Sequence, residues 1–493
     1  MVDPPEPTVL AIDAGTTGVT AIAYDLALQP VAHAYAEFAQ HFPAPGLVEH
    51  DAAEILEAVD RVTASVVAST GTPRAVGITN QRETVFALER STGSALARGI
   101  VWQDRRTAAR CRELTEIGHG ELVRERTGLV LDPYFSGTKI EWLLANDAAV
   151  AAAAKRDDLV FVTVDALLVH HLTRGERVAT DPTNASRTML FDIEKRAYDD
   201  ELMGLFGVGR QALAEVVESA GDFGLAHLAG ADETVPIRGI LGDQQAALYG
   251  QGCWEAGTSK NTYGTGCFVM LNTGADRARS RTGLITTLAA DRAGHPCFAL
   301  EGSAFAGGTV VQWLRDQLGV LENASDSEAI ARSVDDAAGV VLVPAFAGLG
   351  APYWDPDARA ALFGMTRGTT RAHIVRAGLD AIAFQCTDLI RAVREDSGLD
   401  VLELLVDGGA AANDYLMQRQ ADLADVRVVR PASVETTARG AAAIAAVGAG
   451  LIDDPGAVLG GSTTTFEPHD DDEARERDMG TWHDAVRRVR TNG

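Results

Sequence analysis

Short apolar runs alternate along the chain with longer segments of helical periodicity. Val9–Ile12 is a compact apolar run, and a second β-like run, Val19–Tyr24, follows after a turn rich in Gly and Thr. This spacing predicts a β-hairpin. Further strand-like runs are Ala75–Thr79, Leu159–Val164, Ile237–Leu241, Val341–Pro344 and Leu404–Val406. Strands that alternate with helical segments indicate a layered α/β fold.

Two segments near the C-terminus predict helices. Over Thr370–Val393 the apolar residues recur at helical spacing, which is typical of a packed amphipathic helix. Thr481–Val489 predicts a last helix, and the charged run Asp470–Glu476 before it predicts a solvated stretch.

Chain length and charge limit the domain organisation and the partners. The chain has 493 residues, and single hydrophobic cores stop growing near ~250–300 residues. We therefore expect two domains, residues 1–250 and 251–493. A formal net charge of −26 argues against broad binding to nucleic acid or to an anionic membrane, although a local basic pocket is compatible with it.

Cysteine usage and hydropathy predict the compartment. The five cysteines are far apart and form no CxxC pair, which favours buried thiols in a reducing cytosol over disulfides or a zinc site. Met1–Thr8 has neither the basic nor the apolar region of a secretory signal. The longest apolar stretch, Ala441–Ile452, is shorter than the ~20 residues of a membrane span. The sequence thus predicts a soluble, cytoplasmic protein with no integral membrane contact.

Glycine-rich turns are the first candidates for chemistry. In Asp13–Gly18 the glycines allow the backbone to approach a phosphate, and the threonines add hydroxyl donors. Asp13 stands at a strand end, where its carboxylate is suited to Mg²⁺. Alone, such a turn is equally consistent with a plain hairpin. Similar turns occur at Asn261–Gly266, at Gly307–Gly308, and at Asp407–Asn413, where Gly409 is predicted to open a helix.

Two motifs of nucleotide-binding proteins are missing from the sequence. No GxxxxGK[ST] pattern occurs, so the chain is not a P-loop enzyme. A GxGxxG fingerprint after a strand is also missing, which disfavours a nicotinamide or flavin cofactor.

Several polar and aromatic residues follow predicted strands. Asp243 comes after Ile237–Leu241, where it is placed either to accept a proton from a substrate hydroxyl or simply to cap the next helix. Asn80–Glu83 follows another strand, and adjacent charges there are also typical of a surface turn. Trp102 and Tyr134 are compatible with a ligand wall or with the core.

Taken together, these segments resemble the glycerol kinases of the FGGY carbohydrate kinase family, within the actin, hexokinase and heat-shock ATPase superfamily. The resemblance runs in order through nearly the whole chain, over Gly46–Asp51, Gly77–Glu83, Tyr134–Trp142, Thr183–Phe191, Gly242–Ala247, Lys260–Phe268, Pro344–Asp355 and Val406–Asn413. It implies two RNase H-like lobes of the actin/hexokinase type with an interdomain active-site cleft. It also implies a homo-oligomer, dimeric or tetrameric.

The resemblance assigns roles residue by residue. It implies that glycerol is bound by Arg82, Glu83, Tyr134, Asp243 and Gln244 and walled by Trp102 and Phe268. For ATP it implies Thr16, Thr17, Gly18, Thr265, Gly308, Gln312, Gly409 and Asn413, with Asp13 and Asp243 near Mg²⁺. The implied reaction transfers the γ-phosphoryl group of ATP to a terminal hydroxyl of glycerol, with Asp243 as the proton acceptor and ADP as the second product.

The sequence departs from the family pattern at three positions, and two other functions are compatible with it. The family reads Gln and then Arg where this chain has Ala14 and Thr20, which puts phosphate contacts in doubt, and Thr234 replaces an Arg that some bacterial members use for feedback inhibition. A kinase for another small polyol or sugar is the close alternative. A nucleotide-switched binding protein of the chaperone or actin kind is the more distant one.

Overall fold

The structure is a computed structural model that describes residues 8–432, 435–469 and 472–491. The chain forms two compact units. Unit 1 comprises Met1–Trp254, Thr286–Phe298 and Thr436–Gly460, and unit 2 comprises Glu255–Ile285, Ala299–Glu435 and Gly461–Gly493. Both units are mixed α/β, as the alternating pattern predicts. The prediction that Met1–Thr8 is not a secretory signal concerns residues that, apart from Thr8, lie outside the described part of the chain.

Unit 1 is built on a six-stranded sheet in the order β13-β14-β5-β1-β2-β3. Its central strands β14, β5 and β1 are parallel, and β2 and β3 continue antiparallel from β1. The strands are β1 Val9–Ala14, β2 Gly18–Tyr24, β3 Pro30–Glu37, β4 Glu49–His50, β5 Ala75–Asn80, β6 Val85–Glu89, β7 Gly99–Ile100, β8 Leu159–Thr163, β9 Ala179–Thr180, β10 Phe191–Asp192, β11 Ala197–Tyr198, β12 Glu215–Val216, β13 Leu225–Ala226 and β14 Val235–Gly242. The predicted hairpin at the N-terminus is confirmed as β1–β2.

Helices cover both faces of this sheet. Along β1, Leu10 and Ile12 pack into one apolar cluster, while Val9 and Ala11 pack into another on the opposite face. The helices of unit 1 are α1 Ala52–Thr70, α2 Ala108–Glu116, α3 His119–Thr127, α4 Ser136–Asn146, α5 Ala148–Lys155, α6 Val164–Leu172, α7 Pro182–Ala185, α8 Asp200–Leu205, α9 Asp243–Gly250 and α14 Thr436–Gly448. The alanine-rich α14 supplies one face and α1 the other, so the sheet is buried on both sides.

The second half of the chain forms a seven-stranded sheet in the order β17-β18-β16-β15-β21-β22-β23, whose strands β15, β16, β21, β22 and β23 lie in unit 2. Strands β15, β21 and β22 are parallel, and β15–β16 is a hairpin formed around the predicted turn Asn261–Gly266. The strands of this part are β15 Ser259–Tyr263, β16 Cys267–Gly274, β17 Ile285–Ala290, β18 Pro296–Ala304, β19 Val341–Val343, β20 Ala361–Phe363, β21 Glu403–Asp407, β22 Arg427–Pro431 and β23 Thr463–Phe466.

The core of unit 2 is organised by its longest helix. The helices are α10 Gly308–Asp316, α11 Asp326–Ala331, α12 Arg371–Ser397, α13 Asp414–Ala424 and α15 Asp472–Val489. Helix α12 confirms the helical periodicity predicted over Thr370–Val393, and its middle turns are fully buried.

The last helix differs from its prediction. Helix α15 begins at Asp472 rather than Thr481, so the charged run predicted as a solvated stretch is largely helical; Asp470 and Asp471 lie outside the described residues. Arg475, Met479 and Trp482 explain the difference, because they are buried at helical spacing on one face.

All five cysteines are buried, and none of the five is part of a disulfide. The predicted apolar stretch Ala441–Ile452 contributes most of its residues to α14. In the part of the chain that the structure describes, no helix combines the length and apolarity needed to cross a membrane.

Candidate active site

Three parallel strands of unit 1 end at one edge of the sheet, and a predicted site residue belongs to each. In the register, Asp13 of β1 and Leu241 of β14 both pair with Thr79 of β5. Arg82 follows the end of β5 and Asp243 follows the end of β14. The carboxyl ends of parallel strands are where open α/β sheets bind ligands. The fold therefore brings Asp13, Arg82 and Asp243 to one edge.

The first phosphate-type turn is held by side chains from its surroundings. The turn closes with the Gly15 amide donating to the Gly18 carbonyl at 3.0 Å. Gln81 Nε2 donates to the Gly15 carbonyl at 3.0 Å, and the side-chain Nε2 of Gln40 donates to the Thr16 carbonyl. Thr16 and the exposed Thr17 thus sit on a backbone whose carbonyl groups are already fixed.

A buried histidine connects the two glutamines. His50 Nδ1 lies 3.3 Å from Gln81 Nε2, and its Nε2 lies 3.0 Å from Gln40 Oε1. A neutral imidazole with the proton on Nε2 satisfies both contacts. Burial, followed by the charge of His41, lowers the pKa of His50 to about 4. The relay from Gln81 through His50 to Gln40 is therefore uncharged at neutral pH.

Arg82 and Asp243 form an ion pair with unequal exposure. Arg82 Nε lies 3.2 Å from Asp243 Oδ1, and the Arg82 side chain is 2 % exposed against 33 % for Asp243. Arg82 Nη1 also donates to Gln245 Oε1 at 3.1 Å. Gly242 makes room for this pair, because a Cβ there would lie 2.7 Å from Arg82 Cδ. Arg82 is thus fixed in the interior, while Asp243 keeps one side toward solvent.

The helix-capping interpretation of Asp243 is not what the structure shows. The N-cap of α9 is Gly242, and Asp243 is its first helical residue. Asp243 Oδ1 accepts from the neighbouring Gln244 amide at 2.7 Å, and Gln244 itself is buried. A partly exposed carboxylate oriented by a guanidinium is geometrically suited to accept a hydroxyl proton.

The surface-turn interpretation of Asn80–Glu83 is wrong, because all four residues are buried. Glu83 has a φ of 63°, a left-handed conformation that is uncommon outside glycine. Its carboxylate accepts from Arg187 Nε at 2.6 Å, and its carbonyl accepts from Ser136 Oγ at 2.9 Å. A strained backbone held on both sides is a feature found at functional sites.

Trp102 and Tyr134 form an aromatic corner rather than part of the core. Their rings meet edge-to-face at 5.6 Å and both remain partly exposed. Trp102 Nε1 donates to Thr16 Oγ1 at 3.0 Å, which joins this corner to the first turn. The Tyr134 carbonyl accepts from Lys139 Nζ at 2.8 Å. Burial lowers the pKa of Lys139 to about 7.

The segment Asp181–Thr188 is the part of the site to which the sequence assigned no role. Asn184 exchanges amide hydrogen bonds with Asn80 at 3.0 and 3.2 Å. Thr183 Oγ1 accepts from the Gly242 amide at 2.9 Å, and Arg187 holds Glu83. The segment therefore joins the ends of β5 and β14 and also holds Glu83, which follows β5. Thr183–Phe191 stood out only as a block of family resemblance.

Unit 2 brings two of the predicted nucleotide residues together. The Gly264 carbonyl accepts from the Gly308 amide at 2.7 Å, and the Thr265 carbonyl accepts from the Gly307 amide at 2.9 Å. Thr309 Oγ1 also donates to the Thr265 carbonyl at 3.0 Å. Helix α10 begins at Gly308, so its N-terminal amides and positive dipole end lie beside the turn, a combination suited to phosphate. Gln312 is exposed one turn further along this helix.

The third glycine turn requires glycine at one position. Gly408 has a φ of 83°, and a Cβ on it would lie 2.6 Å from the Tyr263 carbonyl oxygen. At this close approach the ends of the paired strands β15 and β21 lie side by side. The next residue, Gly409, is exposed. Gly409 opens only a 3₁₀ turn, Gly409–Ala412, rather than the predicted helix.

Asn413 and Phe268 complete the predicted set in unit 2. The helix α13 starts at Asp414 because Asn413 is its N-cap, accepting from the Leu416 amide at 3.0 Å. Asn413 Nδ2 also donates to Ser327 Oγ at 3.2 Å. Phe268 lies half-buried on β16, opposite Thr262. These contacts all lie within unit 2.

The carboxylates fit a magnesium ion bound mainly through phosphate. Among the described residues, no group of three His, Cys, Asp or Glu side chains is arranged to hold a metal. Mg²⁺ in kinases needs only one or two carboxylates, with waters and substrate phosphates supplying the other oxygens. Asp13, near the end of β1, and Asp243, directly after β14, are candidate carboxylates at this edge of the sheet.

Two family models match most of the chain. The model of the FGGY family of carbohydrate kinases, N-terminal domain, matches residues 8–250, and that of the C-terminal domain matches residues 259–449. A glycerol kinase from Alkalilimnicola ehrlichii is 50 % identical over 486 residues, covering 98 % of each chain.

Solved structures show the same fold. The crystal structure of Plasmodium falciparum glycerol kinase with ADP superposes with a TM-score of 0.92 at 33 % identity, covering 98 % of each chain. A gluconate kinase from Lactobacillus acidophilus gives a TM-score of 0.90 at 18 % identity over 99 % of each chain, a likeness of fold alone. The chain belongs to the FGGY family of carbohydrate kinases.

Proposed function

We propose that the protein phosphorylates glycerol with ATP, giving glycerol 3-phosphate and ADP. The observation that carries the proposal is the buried charge set of unit 1, in which Arg82 is fixed beside Glu83 and 3.2 Å from Asp243. A relative with 50 % identity over nearly the whole chain is a glycerol kinase, which supports the same substrate.

The chemistry of this set suits a small triol. Glycerol offers three hydroxyl groups and little apolar surface, so recognition must come from charged and polar partners. Arg82 and Glu83 supply a donor and an acceptor in a dry environment, and the Tyr134 ring with Trp102 limits the room for a longer carbon chain. Gln244 and, from unit 2, Phe268 complete the proposed polyol residues.

Asp243 accepts the proton of the attacking hydroxyl in the proposed reaction. Its carboxylate is oriented by Arg82 and by the Gln244 amide, and it is the most accessible member of the ion pair. Phosphoryl transfer has a loose transition state, so positioning contributes more than strong base catalysis. Asp243 therefore takes up the proton late, after the phosphorus–oxygen bond has begun to form.

We assign the triphosphate to the glycine turns. In unit 1 these are Thr16, Thr17 and Gly18; in unit 2 they are Thr265, Gly308, Gln312, Gly409 and Asn413. The related Plasmodium falciparum enzyme was crystallised with ADP, which supports an adenine nucleotide. Asp13 and Asp243 would hold Mg²⁺, which neutralises phosphate charge when bound.

A substrate panel with coupled ADP detection tests the proposal. Glycerol should give the highest kcat/KM among glycerol, erythritol, ribitol, xylulose and gluconate. Faster turnover of xylulose or gluconate than of glycerol would assign the chain to another substrate of the family. ATP hydrolysis that ignores every polyol but responds to an unfolded polypeptide would instead favour a nucleotide-switched binding protein.

A cytoplasmic location and a dimeric or tetrameric assembly stay predictions from the sequence. Size-exclusion chromatography with light scattering measures the second directly.

A further inference from the structure

Arg187 is a fully buried cation that contacts residues of the proposed polyol site. Its exposed fraction is 0 %, and its Nε donates to Glu83 Oε1 at 2.6 Å. Its guanidinium also lies over the rings of Phe135, at 5.2 Å, and Tyr134, at 5.7 Å. Arg187 thus contacts two residues that we assign to glycerol.

The charges around Arg187 alternate in sign. Arg187 Nε lies 2.6 Å from Glu83 Oε1, Arg82 Nε lies 3.9 Å from that same oxygen, and Arg82 Nε lies 3.2 Å from Asp243 Oδ1. Of these two guanidinium groups, that of Arg187 is therefore the closer to Glu83 Oε1. Arg82 is correspondingly closer to Asp243 than to Glu83.

Without Arg187, the carboxylate of Glu83 would have to find another cation, because an uncompensated buried charge is strongly unfavourable. Arg82 is already within 3.9 Å of it. A small movement of Glu83 would then draw the Arg82 guanidinium away from Asp243. The Glu83 backbone, with its φ of 63°, would lose one of the contacts that hold it.

We propose that Arg187 is a positioning residue that binds the Glu83 carboxylate and so leaves Arg82 to Asp243 and to the substrate. The inference rests on the proposed function, since it takes Arg82, Glu83 and Tyr134 as polyol residues. Arg187 reaches this place through the segment that follows α7, where Asn184 and Thr183 anchor the backbone to the ends of β5 and β14.

The test compares Arg187→Met and Arg187→Lys with the wild-type enzyme. In Arg187→Met we expect the KM for glycerol to rise about 10²-fold while the KM for ATP changes less than about 2-fold, because the lost contact is to the polyol residues. Arg187→Lys keeps the charge but not the planar fork, so its KM for glycerol should rise only about 10-fold. Wild-type KM values in both variants would overturn the inference.

A double variant separates positioning from a general structural role. Glu83→Gln removes the charge that would otherwise compete for Arg82, so adding Arg187→Met to Glu83→Gln should change the glycerol KM by less than about 3-fold. Fully additive effects would overturn the inference. Arg187→Lys alone decides the question if Arg187→Met does not fold, since a wild-type KM in that variant contradicts a need for the fork.

Arg475→Met is the matched control. Arg475 is also a buried arginine paired with a carboxylate, Asp425, at 3.0 Å, but it lies on α15 of unit 2. Arg475→Met should lower the melting temperature without raising the KM for glycerol.

Two outcomes distinguish failure of the proposed function from failure of this inference. A wild-type enzyme that does not turn over glycerol would contradict the proposed function. An active wild-type enzyme whose KM for glycerol is unchanged by the Arg187 substitutions would contradict this inference alone.

Discussion

The candidate polyol residues of unit 1 are side chains held by other side chains, whereas the candidate phosphate turns of unit 2 are held by backbone contacts. Arg82 is fixed by Asp243 and Gln245, and Glu83 by Arg187. The turn at Gly264, in contrast, is fixed by amide-to-carbonyl hydrogen bonds from the start of α10. The comparison shows two ways of recognising a ligand, one through placed charges and the other through close backbone approach.

The difference follows from what each of these two sets of residues is proposed to bind. A neutral triol presents hydroxyl groups in three directions, and only side chains can meet all of them with matched donors and acceptors. A triphosphate presents many equivalent oxygens, which backbone amides and a helix N-terminus satisfy without a particular side chain. We therefore expect substitutions that change charge to impair the polyol residues of unit 1. The phosphate turns of unit 2 should instead be impaired by the addition of a methyl group to a glycine.

The largest expected effect is at Asp243. Asp243→Asn keeps the size of the side chain but removes the proton acceptor and the charge that pairs with Arg82. We expect kcat to fall by about 10²-fold or more, with ATP binding still measurable by calorimetry. Glu215→Gln, at an exposed carboxylate of unit 1, is the control and should leave kcat unchanged. Near-normal turnover in Asp243→Asn would show that the base lies elsewhere.

The second prediction concerns pH and the relay beneath the first turn. An unfolded chain protonates His50 below its ordinary pKa of 6.5, but in the folded state burial lowers that pKa to about 4. Between these values the unfolded state binds more protons, so folding stability falls as the pH falls. His50 should contribute a loss of about 3 kcal/mol between pH 6.5 and pH 4.

Urea unfolding of the wild type and of His50→Gln at several pH values measures this contribution. The difference between the two proteins should shrink steadily from pH 6.5 to pH 4, because the variant has no imidazole to protonate. Asp165 acts in the opposite direction, since burial raises its pKa to about 7, but it is present in both proteins and cancels. A difference independent of pH would contradict the prediction.

The third prediction tests the backbone contacts of unit 2. Gly408→Ala places a methyl group 2.6 Å from the Tyr263 carbonyl oxygen at a φ of 83°. We expect a loss of about 2 kcal/mol in the free energy of unfolding and a rise of about 10-fold in the KM for ATP, with the KM for glycerol nearly unchanged. The measurements are urea unfolding and initial rates at varied ATP and glycerol.

Gly480→Ala is the control for this substitution. Gly480 lies inside α15 with open space around its Cα, so alanine there should stabilise the protein by about 0.5–1 kcal/mol. An equal rise in the KM for both substrates in Gly408→Ala would mean that the third turn does not act on the nucleotide in particular.

The comparison also explains how much of the site could be predicted from the sequence. The two hairpins, the strand ends and α12 are local features, and alternation, turn residues and helical spacing predict them. The sequence-based predictions placed the starts of α13 and α15 wrongly. The N-cap at Asn413 and the burial of Arg475 determine these starts, and both depend on neighbouring elements of the fold.

The part of the site that the sequence did not predict depends on contacts between segments that are distant in the chain. Asn80 and Asn184 are 104 residues apart in the chain, as are Glu83 and Arg187. No periodicity or spacing in the sequence indicates that such residues meet. The sequence therefore predicts the residues proposed to face the ligands, but not the second set, Thr183, Asn184 and Arg187, which fixes them.

The smallest expected effect is at Trp102, where the side chains and the first turn of unit 1 meet. Trp102→Phe keeps an aromatic wall but removes the Nε1–H group that donates to Thr16 Oγ1 at 3.0 Å. We expect kcat/KM to fall about 3- to 10-fold for glycerol and for ATP alike, the worth of one hydrogen bond. Trp142→Phe, on α4, is the control and should affect neither.

A double-mutant cycle with Thr16→Val then decides what the contact does. If the hydrogen bond couples the aromatic corner to the phosphate turn, Trp102→Phe should have little further effect once the Thr16 hydroxyl is gone. Additive effects, or a fall in kcat/KM for glycerol alone, would mean that Trp102 acts only as a wall. The charged side chains and the phosphate turn of unit 1 would then recognise their ligands independently of each other.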